Sequence, residues 1–558
     1  MNKARQYSSL LISLVGLVLV ISSLSIIYYR DKALFNSNPI TFYDTNGDLL
    51  VGTYYPGTID AGIIILEGFG SDQIAVKGIA SEFALLNFHV FTFDFSAHGR
   101  SFGKLGLDNA ATDRLAKQVL IAKERFKSLS GLNDSQIILL GHSMGARVAI
   151  QSATMDTTNV SGLILLGTQI NLGSNVQSTF FTGVIDSDLE WIQNLSATNP
   201  PVDILLISGS WDDILTPYAA NLLYEKLGGE LSPYERDLVI LANLFHNYEI
   251  YSFEAITLAL NWAVENLGLE ANPNYLAINT LLRNILWLVG IIGLFIFIIF
   301  GLKHQKKLSE QDESQTINTL GESDDRGVEI TNIKRFLIGK AVLWLAALPI
   351  LVLMFIIFVF IPIGVPIFNL IYVGFIGAYG ILLLILYKIG KVPGSRGKLQ
   401  FDFNIKKLNQ SFTLGLIIAI VLIIISVLFA NSGIYYMFPF NERFIWLIIL
   451  IFFTIPGFYI GRKESKYLKQ SFFEKNRYIL YSNVIGFFPF VILAIFFLIL
   501  GSLSGMVGSL QGLIILTFVI LGGEFVYRGS NSVLLTIIFQ SFLIQFLTLP
   551  SGVIFAIF

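Results

Sequence analysis

The residues best suited to chemistry form the run Gly141-His142-Ser143-Met144-Gly145. An apolar segment typical of a buried strand, 136–140, precedes this run, and a helix-like segment, 146–153, follows it. A Gly-x-Ser-x-Gly run between a strand and a helix is a nucleophile elbow, a strained turn that holds the serine hydroxyl at the top of a sheet. Side chains at either glycine would collide as the strand and the helix close together. The run therefore predicts Ser143 as a nucleophile and the Met144 amide as a donor to a developing oxyanion.

A serine hydroxyl is a poor nucleophile until a base removes its proton, and histidine is the side chain suited to that task near neutral pH. The chain contains five histidines, His89, His98, His142, His246 and His304. Four of them have other expected places. His89 begins a buried strand, and His98 is expected to fix the loop after that strand. His142 lies beside the nucleophile with its side chain directed away, and His304 follows a membrane-length block. Elimination leaves His246, between the last predicted strand and the last predicted helix, as the general base.

The elements that must position these side chains fall within residues 31–275, which have the composition of an ordinary globular domain. Apolar runs alternate there with helical patterns. The strands are apolar throughout, which is typical of a parallel sheet covered by helices on both faces. The sequence thus predicts an α/β fold. The predicted strands are 40–43, 49–55, 62–71 with its glycine-rich end, 89–95, 136–140, 160–167, 204–209 and 238–242.

Residues from about 40 to 268 resemble an α/β-hydrolase domain in five short pieces. These are Glu67-Gly68-Phe69-Gly70, Asp94-x-x-x-His98-Gly99-x-Ser101, Gly141-His142-Ser143-Met144-Gly145, Gly209-Ser-Trp-Asp212-Asp213-Ile-Leu-Thr-Pro217 and Phe245-His246. The pieces follow the family's order and lie at the ends of the predicted strands. The resemblance implies a doubly wound, mostly parallel sheet and the chemistry of a serine hydrolase with His246 as its base. The first piece departs from the family, because it reads Glu67-Gly68 where His-Gly is usual.

The resemblance also implies an acid and a second oxyanion donor. Family order places the acid between the serine and the histidine, where Asp212 and Asp213 follow the same predicted strand. Asp212 lies three residues after Gly209, the usual family offset, whereas Asp213 lies four residues before Pro217, which also fits. We favour Asp212 and keep Asp213 as the alternative acid; the other carboxylate is expected to be solvated or to begin a helix. The amide of Phe69 corresponds to the family's second oxyanion donor.

Residues 170–200 form an insertion between strands, at a place where the family often carries a lid. Lids shape the pocket for the acyl or the leaving group, and an apolar lid would favour an apolar substrate. An ordinary packing helix is the alternative interpretation. The apolar side chains of the insertion are Phe180, Phe181, Ile185, Leu189, Trp191 and Ile192.

Charge and cysteine content exclude several functions. The 37 Lys and Arg residues nearly balance the 39 Asp and Glu residues, for a net charge of −2, so nothing indicates a nucleic-acid partner. The absence of cysteine excludes disulfides, a thiol nucleophile and a cysteine-ligated metal. The sequence also contains no phosphate-binding motif and no cluster with metal-ligand spacing, so neither a cofactor nor a metal is expected.

The rest of the chain has the hydropathy of a membrane protein. Hydrophobic residues make up 54% of the sequence, and many of them fall in blocks long enough to cross a bilayer. Segment 8–29 carries no charge and is predicted as an uncleaved anchor, domain 1–30, rather than as a cleaved signal peptide. Domain 276–558 contains about eight further blocks, which brings the predicted total to about nine spans. These blocks are 281–302, 341–361, 364–387, 412–430, 443–461, 478–501, 508–527 and 531–556.

Basic residues alternate sharply between the connections of these predicted spans. The connections rich in Lys and Arg lie near 303–340, 388–411 and 462–477. The connections without either residue are 362–363, 431–442 and 502–507. The positive-inside rule assigns the basic connections to the cytoplasm. Tracing back along the chain, we expect a cytoplasmic N-terminus, in agreement with Lys3 and Arg5, and an extracytoplasmic domain 31–275.

One pair of ionisable residues, Glu524 and Arg528, lies near the end of a predicted span. The run Gly523-Glu524-x-x-x-Arg528 faintly resembles the Glu-Glu-x-x-x-Arg motif of the CAAX-processing intramembrane proteases. That motif is incomplete here, because Gly523 stands at its first glutamate and the downstream histidines are missing. We therefore predict an i, i+4 ion pair near a helix end. Few other charges lie within the spans, which argues against an ion-coupled pump.

These features favour a multi-pass cell-membrane protein whose outward-facing domain is a serine hydrolase. The expected reaction is cleavage of an ester, with a lipid or acyl substrate, through an acyl-enzyme. A thioesterase, a peptidase or an acyltransferase would use the same residues, and a transporter or scaffold whose hydrolase-like domain only binds a partner is the alternative from another class. The expected partners are a small-molecule or lipid substrate and membrane lipids, without nucleic acid; the sequence does not assign an oligomeric state.

Overall fold

The computed structural model describes most of the chain. The described residues are 2–34, 36–106, 109–156, 158–168, 170, 189–269, 275–315, 327–359, 364–400, 410–439, 442–472, 490–549 and 553–555. They form two parts, which we call the α/β domain, from residue 36 to 269, and the helical bundle, made of the N-terminal helix and the helices after residue 277.

An eight-stranded sheet forms the centre of the α/β domain. Its strands are β1 (Asn38–Tyr43), β2 (Leu49–Tyr55), β3 (Gly62–Leu66), β4 (His89–Phe93), β5 (Ile137–His142), β6 (Gly162–Leu166), β7 (Asp203–Gly209) and β8 (Arg236–Leu241). Their spatial order is β1-β2-β4-β3-β5-β6-β7-β8, and β3 to β8 run parallel. β2 pairs antiparallel with both β1 and β4. The sheet is therefore mostly parallel, with an antiparallel edge at its first two strands.

Helices cover both faces of this sheet. One face packs against α2 (Lys77–Leu85) and α7 (Phe253–Asn266). The other face packs against α3 (Asn109–Ser130), α4 (Met144–Met155) and α6 (Pro217–Lys226). A four-residue helix, α5 (Glu190–Gln193), precedes β7. The central strands β3, β5 and β6 are buried along their whole length, because side chains on both of their faces enter a core, and this is why they read as continuous apolar runs.

The register of the central strands brings the candidate residues to one edge of the sheet. Leu66, at the end of β3, pairs with Phe93 on one side and with Gly141 on the other. His142 in turn pairs with Leu166. Parallel strands in this register end at the same level, so the loops that follow them meet at one edge, which we call the carboxyl edge. In open α/β sheets this is the edge at which ligands bind.

The helical bundle contains nine described helices. They are α1 (Asn2–Leu34), α8 (Ile278–Gln315), α9 (Ile333–Val359), α10 (Ile367–Ile389), α11 (Gln410–Asn431), α12 (Glu442–Phe472), α13 (Phe490–Ile499), α14 (Leu503–Ser530) and α15 (Val533–Thr548). Six of them, α1, α8, α9, α11, α12 and α14, are long and apolar enough to cross a membrane. The other three contribute shorter apolar stretches among the described residues. Each of these helices overlaps one of the predicted blocks, and the number of membrane spans stays a prediction.

The two ends of the helical bundle differ in what they contact. At one end the bundle meets the α/β domain, for example where Asn279 donates to Ser81 Oγ at 2.7 Å. At the opposite end a short antiparallel ribbon, β9 (Val328–Ile330) with β10 (Ser395–Gly397), joins two of the Lys- and Arg-rich connections. The predicted ion pair also lies there, with Arg528 Nε 2.7 Å from Glu524 Oε1, and Arg462 of α12 pairs with the same glutamate. The basic connections and the α/β domain therefore occupy opposite ends.

The N-terminal helix α1 packs along α8. A Cβ on Gly16 would lie 2.6 Å from the carbonyl oxygen of Gly293, so glycine at this position allows the two backbones to approach closely. Ser13 Oγ donates to the carbonyl oxygen of Phe297 at 2.8 Å. Near the α/β domain, Asp31 of α1 pairs with Arg283 of α8 at 2.5 Å. In this structure α1 is thus an integral helix of the bundle.

Candidate active site

Ser143 lies in the strained turn between β5 and α4. Its backbone has φ +56° and ψ −115°, a conformation that side chains other than glycine rarely adopt. A Cβ on Gly141 would lie 2.4 Å from the carbonyl carbon of Gly145, which is the collision of strand and helix expected from the sequence. A Cβ on Gly145 would lie 2.4 Å from the carbonyl oxygen of Glu67, so this glycine also admits the loop after β3. The two glycines let Ser143 stand at the carboxyl edge.

Three predicted side chains form a hydrogen-bonded chain at this edge. Ser143 Oγ lies 2.9 Å from His246 Nε2, and His246 Nδ1 lies 2.8 Å from Asp212 Oδ2. When Nδ1–H donates to the carboxylate, Nε2 is left as the acceptor for the serine hydroxyl. The other oxygen of Asp212 accepts the backbone N–H groups of Ile214 and Leu215 at 2.9 and 2.7 Å, which fixes the orientation of the carboxylate.

Asp213, the alternative acid, has its hydrogen-bond partner in the helical bundle. Its Oδ1 accepts the backbone N–H of Ser504, at the start of α14, at 3.0 Å. The structure therefore brings Asp212 and not Asp213 to His246. The sequence analysis expected the second carboxylate to be solvated or to begin a helix; Asp213 is half-buried and accepts a hydrogen bond from the start of α14.

The two predicted oxyanion donors flank Ser143. Met144 is the first residue of α4 and is buried. The loop after β3 passes on the other side, where a Cβ on Gly68 would lie 3.3 Å from Ser143 Cβ, and Phe69 follows directly. Both stretches of backbone therefore run beside the nucleophile, where the carbonyl oxygen of a bound substrate needs donors.

Glu67 occupies the place at which the family usually has histidine, and it is completely buried. Its Oε1 accepts the backbone N–H of Phe95 at 2.9 Å, which ties the loop after β3 to the end of β4. Burial, with the neighbouring carboxyl groups of Asp94 and Asp72, raises the pKa of Glu67 well above its usual range. At the position where the family usually has histidine, a carboxyl group thus attaches the loop after β3 to the end of β4.

His98 fixes the loop after β4, the role that the elimination assigned to it. Its Nδ1 lies 3.0 Å from the carbonyl oxygen of Ser96. Burial lowers the pKa of His98 to about 4, so the ring is neutral. The ring also meets Phe69 edge to face, with the centroids 6.2 Å apart. His98 therefore supports the residue that lies beside Ser143 and does not contact the nucleophile itself.

Comparison with known proteins finds one matching family and several similar solved structures. Residues 57–199 match the family described as serine aminopeptidase, S33. Among solved structures, an esterase from Pyrococcus furiosus is 19% identical, with 43% of this chain and 93% of that chain covered and a TM-score of 0.33. An esterase from the archaeon Pyrobaculum calidifontis is 16% identical, with 46% and 91% covered and a TM-score of 0.33. An α/β hydrolase from a Penicillium species is 18% identical, with 42% and 99% covered and a TM-score of 0.34.

No curated protein matches the chain.

The α/β domain has the α/β-hydrolase fold. Its strand order, with the second strand antiparallel and the nucleophile elbow after β5, agrees with the family match. Together they support a hydrolase. The matched region contains Ser143 but ends before Asp212 and His246, so the acid and the base rest on the distances given above.

Glu249 is a buried carboxyl group beside His246 that the sequence analysis did not single out. Its Oε1 accepts the backbone N–H of Gly209 at 2.9 Å, and its Oε2 lies 3.9 Å from His246 Nδ1. Burial raises the pKa of Glu249 to about 8. The spacing His246-x-x-Glu249 could have predicted that these side chains lie close together. The 3-10 turn His246–Tyr251 brings the third following residue back over the first.

His142 also packs against His246. The two rings stack with centroids 4.9 Å apart, and His142 Nε2 lies 3.1 Å from the carbonyl oxygen of His246. Burial lowers the pKa of His142 to about 3, so this ring is neutral. The potential ligand atoms of His142, His246 and Glu249 lie within 4.8 Å of one another. Because His246 Nδ1 and His142 Nε2 already make hydrogen bonds, we assign this group to the support of the triad rather than to a metal ion.

The carboxyl groups around His246 predict an unusual pH dependence. Burial by itself lowers the pKa of His246, but the charge and hydrogen bond of Asp212, and then the charge of Glu249, raise it to about 9. Since the base must be neutral to accept a proton, kcat/KM should rise with pH. The apparent pKa of this rising limb should lie above the ordinary histidine value of about 6.5. Glu249→Gln removes one of these charges and should move the limb to lower pH. Profiles of kcat/KM for the wild type and the variant measure this shift, and a limb that stays in place or moves to higher pH would contradict it.

Most of the predicted lid falls outside the described residues, including Phe180, Phe181 and Ile185. Its described end, from residue 189, packs as an ordinary helix. Ile192 is buried in the core that also contains Met144, and Leu189 and Trp191 pack against that core. The lid itself stays a prediction.

Proposed function

We propose that this protein is a membrane-anchored serine hydrolase that cleaves an ester-type lipid or acyl substrate through an acyl-enzyme. The observation that carries the proposal is the hydrogen-bonded chain from Ser143 through His246 to Asp212, with Ser143 held at φ +56°. In this arrangement a carboxylate orients the histidine, and the histidine lies within hydrogen-bonding distance of a strained serine. Such an arrangement activates the serine hydroxyl group. The family match of residues 57–199 supports the same chemistry.

In the proposed reaction, Ser143 Oγ attacks the carbonyl carbon while its proton passes to His246 Nε2. Asp212 holds the tautomer that carries a proton on Nδ1 and stabilises the imidazolium that forms. The amides of Met144 and Phe69 donate to the oxyanion. His246 then gives its proton to the leaving alcohol, and the acyl group stays on Ser143. A water molecule that loses a proton to His246 attacks the acyl-enzyme, which releases the acid and restores the serine.

The helical bundle supports membrane residence and a lipid or acyl substrate. Six described helices are long and apolar enough to span a bilayer. The Lys- and Arg-rich connections lie at the end of the bundle opposite to the α/β domain, and the positive-inside rule then favours an α/β domain outside the cytoplasm. A hydrolase held in this way meets membrane lipids and their acyl esters continuously.

Amide hydrolysis is the second candidate, and one observation favours it. The family description that matches residues 57–199 names an aminopeptidase. Esters, thioesters and amides are cleaved by the same triad and oxyanion donors, and acyl transfer differs only in the nucleophile of the second step. A transporter or scaffold whose α/β domain only binds a partner is less favoured, because binding alone gives no reason for a strained serine bonded to a base.

Labelling with a fluorophosphonate tests the proposal, because this probe reacts with an activated serine and spares an ordinary one. Isolated membranes that carry the wild type should become labelled, and Ser143→Ala should lose all labelling. Ser152→Ala is the matched control. Ser152 is a buried serine of α4 whose hydroxyl donates to the carbonyl oxygen of Ala149, so its removal should preserve labelling.

A well-folded wild type that takes up no probe would exclude the hydrolase and favour the partner-binding alternative. For a labelled protein, release of the same acyl group from an ester and from an amide then separates the two candidate activities. Analysis of the products in the presence of an added alcohol separates hydrolysis from acyl transfer.

A further inference from the structure

The carboxyl edge, which carries Ser143, faces the helical bundle. The loop after β3 meets the bundle at Asp72, whose Oδ2 accepts the backbone N–H of Tyr436 at 2.6 Å. The loop after β4 meets it at the carbonyl oxygens of Ala97 and Gly99, which both accept hydrogen bonds from the buried guanidinium of Arg443. Two neighbouring loops of the site are thus attached to the bundle by polar contacts.

The loops that carry the acid and the base make similar contacts. Asp213, next to the triad acid, accepts the N–H of Ser504 at 3.0 Å. Tyr248, two residues after the triad histidine, accepts a hydrogen bond on its hydroxyl from Gln511 Nε2 at 2.7 Å. Four loops of the carboxyl edge therefore dock on the bundle, and the edge that carries Ser143 faces the helices.

The bundle residues in these contacts lie where candidate membrane spans begin. Arg443 is the second residue of the span Glu442–Leu468, and Ser504 is the second residue of the span Leu503–Ser530. Asp213 follows the triad acid Asp212 directly and accepts the N–H of Ser504. The start of a candidate span is therefore very close to Asp212. If these helices cross a bilayer, its surface lies beside the triad.

An apolar contact joins the bundle to the predicted oxyanion loop. The ring of Phe555, in the segment 553–555 that follows α15, lies against the ring of Phe69 with the centroids 5.8 Å apart. The segment is held on both sides. Phe555 exchanges hydrogen bonds with Val365 at 3.0 and 3.1 Å, and the carbonyl oxygen of Ile554 accepts the N–H of Leu105 at 2.9 Å.

The apolar core is continuous from the nucleophile to the bundle. Met144, directly after Ser143, is buried in the same cluster as Phe453 of α12, Phe546 of α15 and Phe555. Ser143 itself exposes only 8% of its surface. Apolar side chains, rather than open water, thus extend from the nucleophile toward the helices.

Building on the proposed function, we infer that the helical bundle forms the acyl-chain side of the active site. The substrate is then a long-chain lipid ester taken from the bilayer, with its carbonyl group at Ser143 and its chain along Phe69 and Phe555. The bundle is in this way part of the enzyme and more than an anchor. Phe555 becomes a residue that determines selectivity for acyl-chain length.

The test compares kcat/KM for 4-nitrophenyl palmitate with kcat/KM for 4-nitrophenyl butyrate, using the full chain in phosphatidylcholine vesicles. Partition of each ester into the vesicles is the same for every variant, so a change in the ratio reports the protein. Phe555→Ala should lower the palmitate-to-butyrate ratio by about 10-fold or more, because lost apolar contacts with a substrate change specificity by roughly 10- to 200-fold.

Phe358→Ala is the matched control for this variant. Phe358 is another buried phenylalanine of the bundle, 8% exposed against 5% for Phe555, and its ring lies 5.3 Å from that of Trp446 and 5.9 Å from that of Phe453, both in α12. Its truncation removes a ring of the same size from a contact between two helices of the bundle. The palmitate-to-butyrate ratio should therefore stay within about 2-fold of the wild type.

Fluorophosphonate labelling of the same samples separates this inference from the proposed function. A Phe555→Ala protein that labels normally and keeps the wild-type ratio would overturn the inference and leave the serine hydrolase intact. A wild type that does not label would remove the proposed function instead. If Phe555→Ala fails to label because it does not fold, Phe555→Leu takes its place, and an unchanged ratio in that variant overturns the inference equally. A gain of palmitate activity in either variant would also overturn it, because segment 553–555 would then block the site.

Discussion

Asp212→Asn is expected to lower kcat by about 10⁴-fold, whereas Asp213→Asn should leave it within about 3-fold of the wild type. The two carboxylates are adjacent in the chain but have different partners. Asp212 lies 2.8 Å from His246 Nδ1, while Asp213 bonds to the backbone of Ser504 in the bundle. An amide at position 212 can present its NH₂ group to the histidine, which stabilises the tautomer that cannot accept the proton of Ser143.

Both variants are nearly isosteric with the wild type, so the pair separates the catalytic effect from a change in packing. Ester turnover by purified full-length protein gives kcat, with fluorophosphonate labelling rates as a second readout that needs no knowledge of the substrate. Asp212→Asn should also lower the apparent pKa of His246, because the Asp212 carboxylate is the group that raises it most. Equal losses in the two variants, or a larger loss for Asp213→Asn, would refute the assignment of the acid.

Arg443→Gln is expected to have the largest effect on stability. Arg443 is 2% exposed, and its guanidinium donates to the carbonyl oxygens of Ala97 and Gly99 in the loop after β4. Hydrogen bonds from a charged donor contribute about 1.5–3 kcal/mol each, so losing both should remove about 3 kcal/mol or more. For a domain of the size of the α/β domain, that corresponds to a fall in melting temperature of roughly 6–12 °C. Thermal unfolding of the detergent-solubilised chain measures it.

The defect of Arg443→Gln should also depend on pH. Burial raises the pKa of Glu67, so Glu67 contributes stability that is present below its unfolded pKa and is lost as pH rises through the folded pKa. Arg443 counteracts this loss, because its charge lowers the pKa of Glu67. The variant should therefore be destabilised more at about pH 8 than at about pH 5. A double variant that also carries Glu67→Gln keeps an acceptor for the N–H of Phe95. It should recover the pH-dependent part of the stability that Arg443→Gln loses.

Arg335→Gln provides the control for this experiment, since Arg335 is exposed and lies at the start of α9, at the basic end of the bundle. It should melt like the wild type at both pH values, because exposed charges contribute little to stability. An Arg443→Gln protein that also melts like the wild type would show that the contact between the bundle and the loop after β4 does not hold the α/β domain.

The local chemistry of the nucleophile could be derived from the sequence because it depends on a short segment. Gly141 and Gly145 flank Ser143, and only glycine permits the close approach of strand and helix that the structure shows. The parallel core of the sheet could also be predicted from the sequence, since strands buried on both faces must be apolar at every position. The antiparallel pairing of β2 with β4 could not be predicted, because these strands are far apart in the chain and their relative direction does not follow from side-chain composition.

Contacts between distant parts of the chain had to come from the tertiary structure. Sequence spacing could not separate Asp212 from Asp213, which differ by one residue. The direction of each side chain is set by partners far away, His246 for one and Ser504 for the other. The same holds for Glu249, whose buried position depends on Gly209 of β7.

Local sequence patterns were enough to predict a nucleophile, a base, the sheet that carries them and the apolar helices that follow, because each pattern involves residues close together in the chain. The partners of Asp212 and Asp213, and the direction in which the carboxyl edge faces, depend on distant parts of the chain. The docking of the carboxyl edge on the bundle joins Asp72 to Tyr436 and Phe69 to Phe555 across hundreds of residues. Such contacts arise from the packing of complete elements, and no local pattern of residue types records them.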